Sequence, residues 1–250
     1  MLLFIDALQV LFFKTTISSS LILSLKGRYG SSQGLYKSDC TGSCASGYYC
    51  TEGSITAYEL ECGVVDLVKL GLTFEQVISY NGTIPKKFMA NGYIAQQTSL
   101  SIESLLPARG PYTKLVELKK PNNVFCPSGS LSPLEVLPGY YSVGNNKTTR
   151  FDQIPCPMGA YCIDGMIHDC PAGRYGRAQR LDSSDCSGPC QKGYYCPKGS
   201  ISRTQNPCPI GYYGDREGLG TSECSGQCER ALDCPIASTR KAPDRGASSW

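Results

Sequence analysis

The sequence is poor in the residues from which large cores and most catalytic or metal sites are built. Its 250 residues include one histidine, His168, one tryptophan and seven phenylalanines. A Ser–His–Asp or Cys–His nucleophile system would depend on His168, and structural zinc sites often combine cysteine with histidine. These shortages argue against an enzyme and against zinc, so we assign no catalytic residue, no cofactor and no metal.

Strongly charged and long apolar segments are lacking as well. The 24 basic and 21 acidic residues leave a net charge of +3, and no Lys/Arg block predicts a nucleic-acid partner. The apolar run from Leu2 to Phe13 is too short to span a bilayer, so membrane association is expected only through further parts of a longer protein. Asp182, Ser183 and Asp185 form a weak calcium candidate, and other scattered acids are expected to be solvated.

Cysteine, glycine and proline are abundant, with 15, 27 and 16 residues respectively. Cysteines at this density persist as disulfides in an oxidising compartment, which predicts an extracellular or cell-surface protein. Glycine and proline favour turns over long helices. The predicted fold class is small disulfide-rich modules in tandem, with short β-hairpins, irregular loops and one possible helix in an insert.

An internal repeat organises the chain. Residues 24–62 align with residues 170–208 without a gap, and 19 of 39 positions are identical. The complete cysteine spacing is fifteen, three, five and eleven intervening residues, and a partial copy runs from Cys208 to Cys234. A degenerate copy keeps the third and fourth cysteines as Cys156 and Cys162, and has Val136 and Asp152 in place of the first two. The pattern predicts a row of similar modules.

The remaining segments follow from the repeat boundaries. Val64 to Ile78 is dense in apolar residues, which predicts a helix ending near Asn81-Gly82. The first residues suit either a signal peptide or a mispredicted start. The predicted segments are 1–23 (signal peptide or mispredicted start), 24–62 (repeat), 63–122 (cysteine-free insert), 123–169 (degenerate repeat), 170–207 (repeat), 208–234 (partial repeat) and 235–250 (disordered tail).

Tyrosines flanked by glycine recur beside the cysteines, as in Gly173-Arg174-Tyr175-Gly176 and Gly193-Tyr194-Tyr195. Two interpretations are open: a ladder of rings that stacks against sugars or a partner protein, or local packing in modules with little other core. We expect local packing.

The pattern C-P-x-G-x-Y-G…C-S-G-x-C-x-x-G-Y-Y-C-P-x-G-S, present over residues 170–200, resembles the ephrin-receptor-like cysteine-rich repeat. It is similar in style to tumour-necrosis-factor-receptor and laminin EGF-like modules, and the resemblance covers 24–62 and 123–237. Such modules occur in receptor ectodomains and in surface proteins of microbial eukaryotes, where they act as spacers and protein-contact surfaces. No kinase motif is present.

The degenerate copy has lost the first and second cysteines together, which favours first-to-second and third-to-fourth links. A rival scheme joins consecutive cysteines, from Cys40–Cys44 to Cys224–Cys228, and leaves Cys234 over. The favoured scheme leaves Cys40 as a thiol, because its partner position is Ser24. Its pairs are Cys44–Cys50, Cys62–Cys126, Cys156–Cys162, Cys170–Cys186, Cys190–Cys196, Cys208–Cys224 and Cys228–Cys234.

Asn81-Gly82-Thr83 and Asn146-Lys147-Thr148 fit the acceptor pattern for N-glycosylation. The leading functional hypothesis is an extracellular structural or interaction protein that acts as a spacer or protein-contact surface for an unknown protein or glycan. A ligand-binding fragment of a receptor ectodomain is the alternative. A secreted hydrolase with cysteine-rich decoration is a remote third, since the unassigned block 63–122 has no histidine or cysteine.

Overall fold

The computed structural model describes residues 27–32, 40–67, 83–85, 99–105, 115–230 and 233–241. Most of its regular structure consists of two-stranded antiparallel hairpins tied by seven disulfides, which confirms the predicted fold class. The described residues contain no α-helix, and a short 3-10 turn is present at Pro121–Asn123. Among them, therefore, no helix has the length and hydrophobicity needed to cross a bilayer.

Eighteen short strands are described, and all of the pairings between them are antiparallel. Seven pairs form separate hairpins: β1–β2, β3–β4, β9–β10, β11–β12, β13–β14, β15–β16 and β17–β18. The strands are β1 (Arg28–Tyr29), β2 (Gly42–Ser43), β3 (Tyr48–Tyr49), β4 (Leu60–Glu61), β5 (Val64–Asp66), β6 (Thr83–Pro85), β7 (Ser99–Leu105), β8 (Leu115–Leu118), β9 (Val124–Phe125), β10 (Leu134–Glu135), β11 (Tyr140–Gly144), β12 (Arg150–Pro155), β13 (Ala160–Ile163), β14 (Met166–Asp169), β15 (Tyr194–Tyr195), β16 (Asn206–Pro207), β17 (Tyr212–Tyr213) and β18 (Gly226–Gln227).

The predicted helix of the insert is wrong where the structure describes it. Val64–Asp66 is strand β5, which pairs with β8 in a four-stranded sheet of order β5-β8-β7-β6. Val64, Val65 and Leu67 are all buried. A short apolar run that is buried on both faces has the same sequence pattern in a strand as in a helix, so periodicity did not separate them. The rest of the predicted helix, residues 68–82, lies outside the described residues.

The buried interior consists largely of disulfides. Cysteines make up twelve of the 24 buried hydrophobic side chains, and the cluster at the degenerate module is Cys156, Ala160 and Cys162 with Tyr141 against it. Val136, at the position of a first cysteine, is 6% exposed, whereas Asp152 at the second position is exposed. An apolar side chain therefore occupies the interior position that half of a disulfide occupies in the complete repeat.

The third cysteine of a module begins a C-x-x-G turn whose glycine has a positive φ. Gly159 and Gly193 have φ of +81° and +80°, a conformation in which other residues are strained. A Cβ on Gly159 would also overlap the backbone carbonyl of Gly199 in the following module, and one on Gly193 would overlap that of Ala237, just after the partial repeat. Glycine is thus required twice over, by the turn and by the close approach of the next backbone.

Four backbone hydrogen bonds join successive modules, and the same four recur at three junctions. At each junction, the amide of the turn glycine donates to a carbonyl of the next module. The carbonyl of the same glycine accepts a bond from the amide of the first cysteine of that next module. The amide of the fourth cysteine in the first module of each pair donates to a carbonyl of the next module. The carbonyl of the third cysteine accepts a bond from an amide of the next module. With the donor first, the bonds at the first junction are Gly47–Cys126, Cys50–Ser130, Cys62–Gly47 and Gly129–Cys44. Those at the second are Gly159–Gly176, Cys162–Leu181, Cys170–Gly159 and Arg180–Cys156. Those at the third are Gly193–Gly214, Cys196–Leu219, Cys208–Gly193 and Gly218–Cys190.

These junction bonds place Cys126 where the other modules have Gly176 and Gly214. A Cβ at Gly176 would lie 2.8 Å from the sulfur of Cys170, and one at Gly214 would lie 3.0 Å from that of Cys208. This position therefore adjoins the first cysteine of its module. A cysteine here is close enough to bond to it, and Cys126 does bond to Cys62, with a Cα–Cα distance of 5.7 Å.

Alanine at Gly159 should destabilise the protein more than alanine at Gly199. Both glycines have φ near +80°, so both changes cost about 1–2 kcal/mol of backbone strain. A Cβ on Gly159 would lie 2.5 Å from the Gly199 oxygen, whereas one on Gly199 meets nothing closer than 4.0 Å. We expect Gly159→Ala to lower the free energy of unfolding by about 1–3 kcal/mol more, measured by urea unfolding with the disulfides intact. Equal losses would show that the close approach is unimportant.

Replacing Cys126 with the glycine of the other modules should expose one thiol. In Cys126→Gly the junction turn is retained and Cys62 loses its partner. Labelling and peptide mapping under non-reducing conditions should show one more reactive thiol than in the parent chain, at Cys62, with Cys170–Cys186 unchanged. A Cys186–Cys190 link in the parent chain, or a Cys62 that stays bonded in the variant, would contradict the assignment.

Candidate functional site

The structure pairs the predicted disulfide cysteines in the first-to-second and third-to-fourth scheme, with Cys62 joined to Cys126. All seven Cα–Cα distances, from 5.7 to 6.3 Å, lie in the range of native disulfides. The consecutive links of the rival scheme are not among these bonds. Cystines of this number indicate an oxidising compartment.

Cys40 is half-buried and lies outside the seven disulfides. Its φ of +52° matches those of Cys186 and Cys224, at +49° and +52°, so the backbone of a second cysteine is retained. Ser24, at its partner position, lies outside the described residues.

Two of the three residues of the weak calcium candidate, Ser183 and Asp185, are engaged within the protein. Ser183 Oγ accepts from the Asp185 amide, and the Asp185 carboxylate pairs with Arg174 at 3.0 Å. Across the part of the chain that the structure describes, no three His, Cys, Asp or Glu side chains are grouped so as to hold a metal ion. His168 lies half-buried and stacks on Tyr161, with 5.3 Å between ring centroids.

Most glycine-flanked tyrosines are half-buried within their own hairpins. Tyr194 and Tyr195 of β15 are of this kind, Tyr175 is half-buried outside a hairpin, and Tyr49 is almost fully buried at 1% exposure, with its hydroxyl donating to the Val64 carbonyl at 2.8 Å. These rings are therefore packing elements first, and the exposed candidate surface lies elsewhere.

Exposed apolar side chains concentrate in the degenerate module. Of twelve large hydrophobic side chains that are exposed in the described residues, seven lie within 123–169. They are Leu131, Leu137, Ile154, Met158, Ile163, Met166 and Ile167. A small module with so many exposed apolar side chains suits contact with another molecule. Sequence reasoning missed this surface, although the loss of two cysteines marked the module as different.

A cleft of about 560 Å³ opens in the same module, between β10, the start of β11 and the β13–β14 turn. Leu137, Tyr140 and Ile163 supply apolar wall, and Glu135, Asp164 and Asp182 supply carboxylates. Leu137 and Ile163 are 53% and 49% exposed, so the apolar wall is open to solvent. The cleft thus combines an accessible apolar surface with negative charge.

Chain cations already occupy the edges of this cleft. Lys120 pairs with Asp164 at 2.8 Å, and the guanidinium of Arg180 lies 5.1 Å from the centre of the Tyr140 ring. Arg180 has a φ of +63°, whereas the matching residue of the next module is Gly218, at +77°. The degenerate module's neighbour therefore keeps a side chain at a backbone conformation that favours glycine.

Asn146, the second predicted glycosylation residue, is exposed in the turn between β11 and β12. Its side-chain oxygen accepts bonds from the amides of Thr148 and Thr149, at 2.9 Å each. Lys147 Nζ is in ion-pair contact with the Glu117 Oε1 of β8, though outside hydrogen-bond geometry. Asn81 lies outside the described residues.

Neither the comparison with protein-family models nor that with curated proteins finds a match to this chain. The resemblance to ephrin-receptor-like repeats therefore rests on the cysteine and glycine pattern and stays a prediction.

The turn geometry predicts glycosylation at Asn146 on secretion from eukaryotic cells. Its exposed position leaves room for a glycan, and the side-chain bonds fix a single turn conformation. Intact-mass analysis should show a glycan that is removed by an N-glycosidase and lost in Asn146→Gln. A secreted chain with no glycan at Asn146 would contradict the prediction, and Asn81→Gln serves as the matched control for the other acceptor.

Proposed function

We propose that this chain is an extracellular structural and interaction protein whose modules space and present a contact surface, without catalysing a reaction. The oxidising compartment follows from the seven disulfides, and the extracellular location is the ordinary setting for such a compartment.

The observation that carries the proposal is the repeated set of four backbone bonds at the junctions. A module that is bonded to its neighbour at four fixed points has a defined orientation, unlike a domain on a flexible linker. Stability in such arrays is the sum of module terms and nearest-neighbour interface terms. Repeated junctions of one kind are what a spacer needs, because orientation is transmitted from module to module.

The degenerate module favours a second, related function, that of a ligand-binding part of a receptor ectodomain. Its exposed apolar side chains and its cleft are features of contact surfaces. In this interpretation the flanking modules hold that surface in position. The two functions differ only in whether spacing or binding is the main task.

Hydrogen exchange at the junctions tests the spacer proposal. In the oxidised chain the junction amides of Cys162, Arg180, Cys196 and Gly218 should be protected to a degree similar to the hairpin amides of β11 and β12, measured by NMR. Each disulfide contributes about 2–4 kcal/mol in the chain-entropy account, so full reduction should abolish protection over 156–234.

Two results would count against this function. Junction amides that exchange at the unfolded rate while the hairpins stay protected would describe modules on flexible connections. Saturable turnover of any compound in a hydrolase substrate panel by the purified chain would favour the enzyme alternative.

A further inference from the structure

We propose that the cleft of the degenerate module binds an extended segment of another extracellular protein in which a lysine or arginine stands beside an apolar side chain. The inference rests on the proposed interaction function and names the partner chemistry for its contact surface. The partner is a peptide segment because the cleft combines an open apolar wall with charge of one sign.

The apolar wall supplies the contact area. Leu137 and Ile163 are about half exposed and lie on the cleft together with the half-buried ring of Tyr140. Covering them removes apolar surface from water, at roughly 25 cal/mol per Å² of area buried. At about 560 Å³, the cleft is in the size range of ligand sites and has room for a few side chains.

The negative charge of the cleft lining favours a cationic ligand. Glu135, Asp164 and Asp182 line the cleft, and no lysine, arginine or histidine is among the lining residues. Lys120 pairs with Asp164 from the edge. Glu135 accepts a hydrogen bond from the neutral amide of Asn123, at 3.2 Å, so its negative charge is not neutralised by this contact. A cationic ligand therefore meets attraction here, whereas an anionic ligand is repelled.

Within the chain itself, the ring of Tyr140 already contacts a cation. Arg180 places its guanidinium 5.1 Å from the ring centre, within the distance at which cations are attracted to aromatic faces. Arg180 has a positive φ, and the equivalent residue of the next module is Gly218. A glycine at Arg180 removes this cation without straining the backbone.

Calorimetric titration of the secreted, oxidised chain tests the proposal with a synthetic Gly-Leu-Arg-Leu-Gly peptide blocked at both ends. We expect a Kd on the order of 0.1 mM at low salt, weakening as salt screens the charges. The same peptide with glutamate for arginine, and arginine amide alone, should bind about tenfold more weakly or worse, because each lacks one of the two recognised features.

Variants assign the binding to the cleft. Glu135→Gln combined with Asp182→Asn should weaken peptide binding about tenfold, and Leu137→Ser should also weaken it. Arg180→Gly should tighten it, because the chain's own cation no longer competes for Tyr140. Ile210→Ser removes a comparably exposed apolar side chain, 63% exposed against 53% for Leu137, from another module and should leave binding unchanged.

Equal binding of the glutamate peptide, equal binding of arginine amide, or unchanged binding by the double carboxylate variant would each overturn the proposal. A chain with protected junction amides that binds no peptide also overturns it, and leaves the spacer function intact. Near-ultraviolet dichroism of each variant confirms that its fold is retained, so a loss of binding is assigned to the cleft and not to unfolding.

Discussion

The fold depends on the approach of one backbone to another at the C-x-x-G turns. There the glycine amide and carbonyl both bond to the following module, and the glycine Cα lies against a carbonyl that leaves no room for a side chain. Bonds between main-chain groups do not depend on which side chains surround them. This is why modules with different exposed residues, such as 123–169 and 170–207, are joined in the same way.

The disulfides stabilise these small modules in the place of the buried apolar side chains that stabilise larger domains. A module of this size buries too little surface to offset the loss of chain entropy, so cross-links restrict the unfolded chain instead. In the degenerate module a disulfide lies at the centre of the buried cluster of Cys156, Ala160 and Cys162, with Tyr141 packed against it. Because cystines form so much of the interior, many of the remaining positions are exposed and open to variation for contact.

Much of this arrangement was predictable, because cysteine and glycine act through covalent and backbone constraints that leave a fixed spacing in the sequence. Joint loss of two cysteines in the degenerate copy was enough to favour the pairing that the structure has. The strand at Val64–Asp66 was not predictable, since its register with β8 depends on residues fifty positions away. The cleft escaped prediction for a similar reason: Glu135, Asp164 and Asp182 belong to separate hairpins and loops, and only the folded chain brings them to one opening.

The bond between Cys62 and Cys126 has a consequence for the sequence that it encloses. It closes a loop of 64 residues at the position where neighbouring modules have only a short turn, so both ends of the loop are held at fixed points of one junction. The entropy cost of such a loop grows only with the logarithm of its length, by about 0.6 kcal/mol for each doubling. The number of residues between β5 and β8 can therefore vary at little entropic cost. The two ends of the loop are instead fixed by contacts with the modules, such as the bonds from the Tyr49 hydroxyl to the Val64 carbonyl and from the Arg150 guanidinium to Asn122.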